Sequence, residues 1–171
     1  MTVTLPPPTG TPYRIAFVCL GNICRSPMAD VILTQLVDDA GLASKVEVSS
    51  SGTGTWHLGE QMDPRAAVQL LAEGYDASTH RAKKFEADWL EQDLVLAMDA
   101  KNLAEITDGR GVSDRVRMFR SFDPLVADSE DPADLDVPDP FYGGDEGFVE
   151  VIAIIERTCR RILTGLEALD L

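Results

Sequence analysis

Cys19 and Arg25 stand at the two ends of the segment Cys19-Leu20-Gly21-Asn22-Ile23-Cys24-Arg25, and Ser26-Pro27 follows at once. A thiolate is a nucleophile, and a guanidinium is a planar fork that can bind two equatorial oxygens of a phosphoryl group, which a lysine cannot do with the same geometry. The location of the pair matters more than its letters. Arg14-Ile15-Ala16-Phe17-Val18 reads as a short buried strand, while Ser26-Pro27 offers an N-cap followed by proline at the first helical position. The segment is therefore expected to be a tight phosphate loop between the first strand and the first helix. Such a loop aims the backbone N–H groups of Leu20, Gly21, Asn22, Ile23 and Cys24 at one point, and the helix dipole adds positive charge there. The same field favours thiolate over thiol at Cys19. Gly21 relieves steric limits where amides must turn inward, and Asn22 tolerates the left-handed region. Ser26 can cap the helix and also donate its hydroxyl to the Cys19 sulfur. A cysteine at a strand end is by itself more often a small buried hydrophobe; the loop around it and Arg25 favour chemistry.

The elements that must hold this loop follow a regular alternation. Met28, Val31, Ile32 and Leu36 give the first helix an apolar face that ends near Gly41, and Lys45-Val46-Glu47-Val48 alternates as a second strand. Ser49 to Gly54 reads as a small-residue loop. Asp63-Pro64 starts a helix that stops at Gly74, Asp93 to Met98 is an apolar run like a central strand, Lys101 to Ile106 a short helix, and Arg115 to Phe119 a fourth strand. Arg120 to Gly147 is rich in Pro, Asp and Gly, and a loop of that length in a compact domain points to function or disorder. Phe148, Val151, Ile152, Ile155, Cys159, Ile162, Leu163 and Leu166 recur at helical spacing in a long C-terminal amphipathic helix, which places Cys159 in the core. Strands alternating with helices predict a doubly wound α/β domain, a parallel sheet with helices on both faces, whose ligands bind at the carboxyl ends of the strands.

Composition bounds what such a domain can do. The 171 residues, 44% apolar and 26% charged, suit one compact domain over residues 13–171 after a flexible tail over residues 1–12. A net charge of −14 argues against partnership with nucleic acid or an anionic membrane, so an anionic substrate needs a local positive site. Met1 to Thr11 lacks the basic and apolar regions of a secretory signal, and no stretch is apolar for long enough to span a bilayer. Three cysteines do not make a disulfide framework. The expected compartment is the cytoplasm, with export by a route lacking such a signal left open.

The string Val18 to Pro27 resembles the signature of the low-molecular-weight protein-tyrosine phosphatases. Similar segments continue at Ser50 to Trp56-His57, Met62-Asp63-Pro64-Arg65-Ala66, His80-Arg81-Ala82, Met98-Asp99 and Asp139-Pro140-Phe141-Tyr142-Gly143, so the likeness covers about residues 14 to 169. The resemblance implies a four-stranded parallel sheet, a phosphocysteine intermediate on Cys19, no metal or organic cofactor, and phosphotyrosine-containing proteins as partners of a chain expected to be monomeric. It implies that Asp139 is the general acid, although Asp-Pro is also an ordinary turn and recurs at Asp123-Pro124 and Asp131-Pro132. It implies that Trp56 and Tyr142 wall a deep slot suited to phosphotyrosine, and Phe141 stands where tyrosine is commoner. It further implies that Cys24 can form a reversible disulfide with Cys19, and that Asn22, Ser50 and His80 brace the loop through hydrogen bonds.

Other readings compete. Protein-arginine phosphatases carry the same loop with threonine at the position of Ile23, so Ile23 favours phosphotyrosine. A thioredoxin-coupled arsenate reductase needs two further cysteines on a mobile segment, and Cys159 lies in a different setting. A metal site built from Cys19, Cys24, His57 and His80 has an unfamiliar spacing and leaves Arg25 unexplained. A non-catalytic phosphotyrosine-docking module would keep Arg25 and the amide cradle without needing a nucleophile and an acid.

Overall fold

Tyr13 to Cys19 is buried at every position except Arg14, as a strand covered on both faces must be. In the computed structural model, which describes residues 2–171, it forms β1 (Tyr13–Cys19) inside a four-stranded parallel sheet. The other strands are β2 (Val46–Gly52), β3 (Leu94–Ala97) and β4 (Val116–Met118), in the order β2-β1-β3-β4. The register runs from Tyr13 opposite Val46 to Cys19 opposite Gly52, with Ile15 opposite Leu94 and Val95 opposite Val116. The helices are α1 (Arg25–Asp39), α2 (Pro64–Ala72), α3 (Ala100–Thr107) and α4 (Asp145–Glu167). Alternation along β1 and β3 sorts the core. Ile15, Phe17, Leu96 and Met98 share one cluster with the apolar faces of α1, α2 and α4, whereas Val18, Val95 and Ala97 meet Ile106 of α3 on the other face. The predicted doubly wound α/β sheet is the observed one.

Helix boundaries follow local chemistry. The Asp63 carboxylate accepts from the Arg65 amide at the start of α2, and the Asp99 carboxylate from the Asn102 amide at the start of α3. Beyond α1 and α2, Gly41 and Gly74 adopt φ of 75° and 90°, the left-handed turn that stops a helix. Among the described residues no helix is long and apolar enough to cross a membrane.

Three expectations need correction. Ser26 does not cap α1: the helix already includes Arg25, Cys24 holds the cap position, and no side chain bonds there. The Ser26 hydroxyl is drawn to the Cys19 sulfur instead. Ser49 to Gly52 is not loop but the second half of β2, because β1 presents a full ladder and small side chains fit its buried edge. Residues 2–12 are not a loose tail. Leu5 is buried against Gly165 of α4, the Tyr13 hydroxyl donates to the Pro6 carbonyl, the Thr9 amide and hydroxyl both donate to Asp93, and Arg115 and Arg117 donate to the carbonyls of Pro7 and Thr4. Met1 lies outside the described residues. The long segment after β4, expected to serve function or to be disordered, is ordered. It winds through short 3₁₀ turns at Phe119–Phe122, Pro132–Leu135 and Pro140–Tyr142. Buried Asp123 ties it to α4 by accepting from Arg157 at 2.8 and 2.9 Å and from Arg120 at 3.0 Å.

Candidate active site

The polypeptide leaves β1 at Cys19 and reaches α1 within a few residues, and Asn22 turns the corner at φ 57°. That conformation is sparsely populated for a side-chain-bearing residue, so its neighbours must hold it. They do so through both halves of the Asn22 amide. Nδ2 donates to Ser26 Oγ at 2.8 Å and to Ser50 Oγ at 3.0 Å, and Oδ1 accepts from the Lys83 amide at 2.9 Å. The Asn22 carbonyl faces His80 Nε2 at 2.7 Å, which requires the proton on that nitrogen. Burial lowers the pKa of His80, so the neutral ring with Nε2–H is the form that fits. Behind Ser50 lies Asp30 of α1, which hydrogen-bonds Ser50 and Thr34; burial pushes its carboxyl up to about 6.

Cys19 is 2% exposed, and its Sγ lies 2.9 Å from Ser26 Oγ. Among the described residues, the backbone N–H groups of Leu20 to Cys24 donate to no carbonyl of the chain, so they are available to an anion at the start of α1. Gly52 is required beside the loop: a Cβ there would meet the Leu20 carbonyl at 2.7 Å. Arg25 is 2% exposed and reaches back to the carboxyl ends of the strands. Its Nη1 donates to Asp99 Oδ2 at 2.6 Å and to the Val137 carbonyl at 3.1 Å, and its Nη2 lies 3.4 Å from Asp139 Oδ2. Burial works against the Arg25 charge, but Cys19, Asp99 and Asp139 together hold it firmly protonated.

Asp139 caps the turn Pro140–Tyr142 by accepting from the Phe141 amide at 3.1 Å, and its side chain is 30% exposed. The turn is gripped from below by Arg65 of α2. Nη2 of Arg65 donates to the Phe141 carbonyl at 2.9 Å and Nη1 to the Gly143 carbonyl at 3.1 Å, and its guanidinium lies 4.6 Å from the centre of the Phe148 ring. Asp63 orients Arg65 through contacts of 3.1 and 2.9 Å, and its own amide donates to the Ile23 carbonyl of the loop. Burial opposes ionisation of Asp63, yet the bonds from Arg65 keep its carboxyl below the usual range. One strut thus links the loop to the Asp139 turn.

These pieces enclose a cavity of about 340 Å³ lined by Cys19, Leu20, Gly21, Ile23, Cys24, Arg25, Trp56, His57, Asp139, Phe141 and Tyr142. Trp56 and Tyr142 stand at its mouth, 70% and 84% exposed. The Trp56 ring lies across Gly54, where a Cβ would collide with it at 2.1 Å. His57 passes close to Gly21, whose Cβ would meet it at 3.2 Å, and bonds Glu60 at 2.8 Å. Asn22, Ser26, Ser50 and His80 lie behind the loop rather than in the cavity. Cys24 is buried and bonded to Asp63; burial, reinforced by Asp63 and Cys19, pushes its thiol far up. All three cysteines are free thiols, Cys159 being buried in α4. Among the described residues no three His, Cys, Asp or Glu side chains converge as metal ligands.

Residue types and spacing do not single out Asp99 or Arg65, both of which shape the site. Asp99 sits two residues past β3, as the N-cap of α3 at the carboxyl edge where ligands of such sheets bind, and that position is the signal that could have found it.

A family model for low molecular weight phosphotyrosine protein phosphatase matches residues 14–170. A low molecular weight protein-tyrosine-phosphatase of Streptomyces coelicolor is 44% identical over 158 residues, covering 90% of this chain and 93% of that one. The low molecular weight protein-tyrosine phosphatase A of Mycobacterium tuberculosis is 46% identical over 146 residues, 85% of this chain and 86% of its own. The crystal structure of YfkJ from Bacillus subtilis superposes with a TM-score of 0.81 at 32% identity, over 93% of this chain and 97% of that one. With the fold, the loop and these matches in agreement along nearly its whole length, the chain belongs to the low molecular weight phosphotyrosine protein phosphatase family.

Proposed function

We propose that this phosphatase hydrolyses phosphotyrosine in proteins through a phosphocysteine intermediate on Cys19. The observation that carries the reading is that Cys19, Arg25 and Asp139 line one cavity walled by Trp56 and Tyr142. A phosphoryl group seated on the Leu20 to Cys24 amides has its charge balanced by those dipoles and by Arg25, whose fork turns from Asp139 toward two phosphate oxygens. The Cys19 thiolate attacks phosphorus in line while the P–O bond to the tyrosine breaks, and Asp139 transfers its proton to the departing phenolate oxygen. In the second step the Asp139 carboxylate takes a proton from water as that water attacks the phosphocysteine. Orthophosphate leaves and the thiolate is restored. Ser26 steadies the sulfur in both states, and Asn22, Ser50 and His80 keep the loop in the strained shape that points its amides inward.

Aromatic faces at the mouth support phosphotyrosine, since a phosphoserine is too short to carry phosphorus past Trp56 and Tyr142 to the sulfur. Ile23 lines the cavity where the arginine-specific subgroup has threonine, which supports the same choice. The test is steady-state hydrolysis of matched phosphotyrosine, phosphoarginine and phosphoserine peptides by wild type and Cys19→Ser in reducing buffer. Phosphotyrosine turnover is expected to dominate and to fall by about 10⁴-fold or more in the variant. Tight peptide binding without turnover by wild type would instead make the site a docking module.

A further inference from the structure

Trp56 divides two hollows. One is the cavity above Cys19; the other, of about 430 Å³, lies on the side toward α3 and shares Leu20 and Trp56 with the first. Its remaining apolar surface comes from Phe85 and Ile106, and Lys101 stands at its rim, in no ion pair among the described residues. The partition is firmly placed. The Gly54 amide donates to the Leu20 carbonyl at 2.8 Å, the Thr53 amide to the Cys19 carbonyl at 3.0 Å, and the Phe85 amide to the Gly52 carbonyl at 2.7 Å, so the segment bearing Trp56 is tied to the loop on one side and to the second hollow on the other. A tryptophan left 70% exposed while lining a hollow on each side is placed to receive ligand groups on both.

We propose that the second hollow is a substrate subsite that takes the apolar side chain of the residue next to the phosphotyrosine, with Trp56 standing between the two side chains. The inference rests on the phosphotyrosine reading of the first cavity. In an extended segment, consecutive Cα atoms lie about 3.8 Å apart and successive side chains point to opposite sides. Two neighbours of the bound peptide therefore straddle a partition one aromatic ring thick. The floor of Leu20, Phe85 and Ile106 suits a branched aliphatic group, and at the rim the charge of Lys101 offsets that of Glu105, which lines the same hollow.

The experiment compares kcat/KM for paired phosphotyrosine peptides that differ only in leucine or glycine beside the phosphotyrosine, on either side of it, with p-nitrophenyl phosphate as a substrate too small to reach the hollow. Wild type is expected to favour leucine by about tenfold on one side, the scale of one buried aliphatic side chain. Phe85→Ala, which removes the floor, and Lys101→Trp, an exposed helical position from which a large ring fills the hollow, should each bring the leucine-to-glycine ratio close to one. A wild-type ratio near one on both sides, or a ratio preserved in both variants, overturns the subsite. Failure of wild type to hydrolyse p-nitrophenyl phosphate and both peptides would overturn the underlying reading and is distinguishable from either result.

Discussion

At the scale of single residues, the site is an arrangement of charges that need one another. Arg25 is buried, donates to Asp99 at 2.6 Å and lies 3.4 Å from Asp139, so on the proposed mechanism the acid and the phosphate-binding cation face each other in the free protein. On that mechanism, phosphate competes for the same guanidinium and frees Asp139 to face the leaving oxygen. Asp139→Ala should therefore lower kcat/KM, which covers the steps up to the phosphocysteine and not the shared water attack, about 10²- to 10³-fold for phosphotyrosine and much less for a substrate whose leaving group needs no proton. Equal losses on both substrates would remove Asp139 as the acid. Asp30 makes a different kind of prediction. Burial raises its carboxyl to about 6 in the fold, against 3.8 for the free group, so the ionised form is disfavoured in the native state. The sign follows: its favourable contribution is complete below pH 3.8 and is lost as pH rises through 6. Asp30→Asn should thus stabilise the protein at pH 7.5 by about 1–2 kcal/mol, below the ~3 of the full shift because the carboxylate is partly screened. At pH 4 the gain should vanish. Thermal unfolding of both proteins at the two pH values reads this, and a pH-independent difference would show that the carboxylate is not under strain.

At the scale of elements, the outcome depends on which segments position the chemistry. The strand, loop and helix from Tyr13 to Asp39 were legible because their signals are local: an apolar run, small and left-handed-tolerant residues, then Ser-Pro. Cys19 and Arg25 could be found together for the same reason. Asp99 and Arg65 were not, because their reach to Arg25 and to the Asp139 turn spans 74 and 76 positions of sequence, and only folding makes them neighbours. The Ser49 to Gly52 half of β2 was misread because its small residues look like a loop until β1 supplies partners. Arg65 carries a consequence of that long-range placement. It ties the loop, through Asp63, to the carbonyls of Phe141 and Gly143 that flank Tyr142, and so fixes where the Asp139 turn hangs above Cys19. Arg65→Ala should lower kcat/KM for phosphotyrosine by about tenfold but for p-nitrophenyl phosphate by no more than about twofold, since up to the phosphocysteine a misplaced acid matters most where the leaving group needs a proton. Lysine should not rescue it, because one ammonium cannot hold Asp63 and two carbonyls at once. A uniform loss on both substrates would mean that Arg65 serves folding rather than the turn.

At the scale of the whole molecule, the candidate site and the anchoring contacts of the N-terminal segment occupy opposite edges of one sheet. The carboxyl ends of β1 and β3 carry Cys19 and Asp99, while the start of β3 carries Asp93, which receives the Thr9 amide and hydroxyl and the Arg14 amide. The segment expected to be a loose tail is in fact a strap across that far edge. Its Leu5 and Val3 side chains approach Gly165 of α4 so closely that a Cβ there would meet them at 2.8 and 2.9 Å, so a larger residue at this position would push the strap's side chains off the helix. Proline-rich composition suggested disorder because polar and Pro-rich stretches generally lack enough apolar surface to fold; here the surface is supplied by the partner helix. Deleting residues 2–9 exposes the Leu5 site and leaves buried Asp93 with fewer donors. The expected cost is about 2–4 kcal/mol, combining a lost apolar side chain with unpaired buried polar groups. For a chain of this size that lowers Tm by roughly 5–15 °C. Turnover of p-nitrophenyl phosphate at 25 °C should stay within about twofold of wild type, because none of the deleted residues reaches the loop or the Asp139 turn. Calorimetry and initial rates on the same preparation separate the two effects: an unchanged Tm would return the segment to a loose tail, and a loss of activity without a loss of stability would show that the strap acts on the site itself.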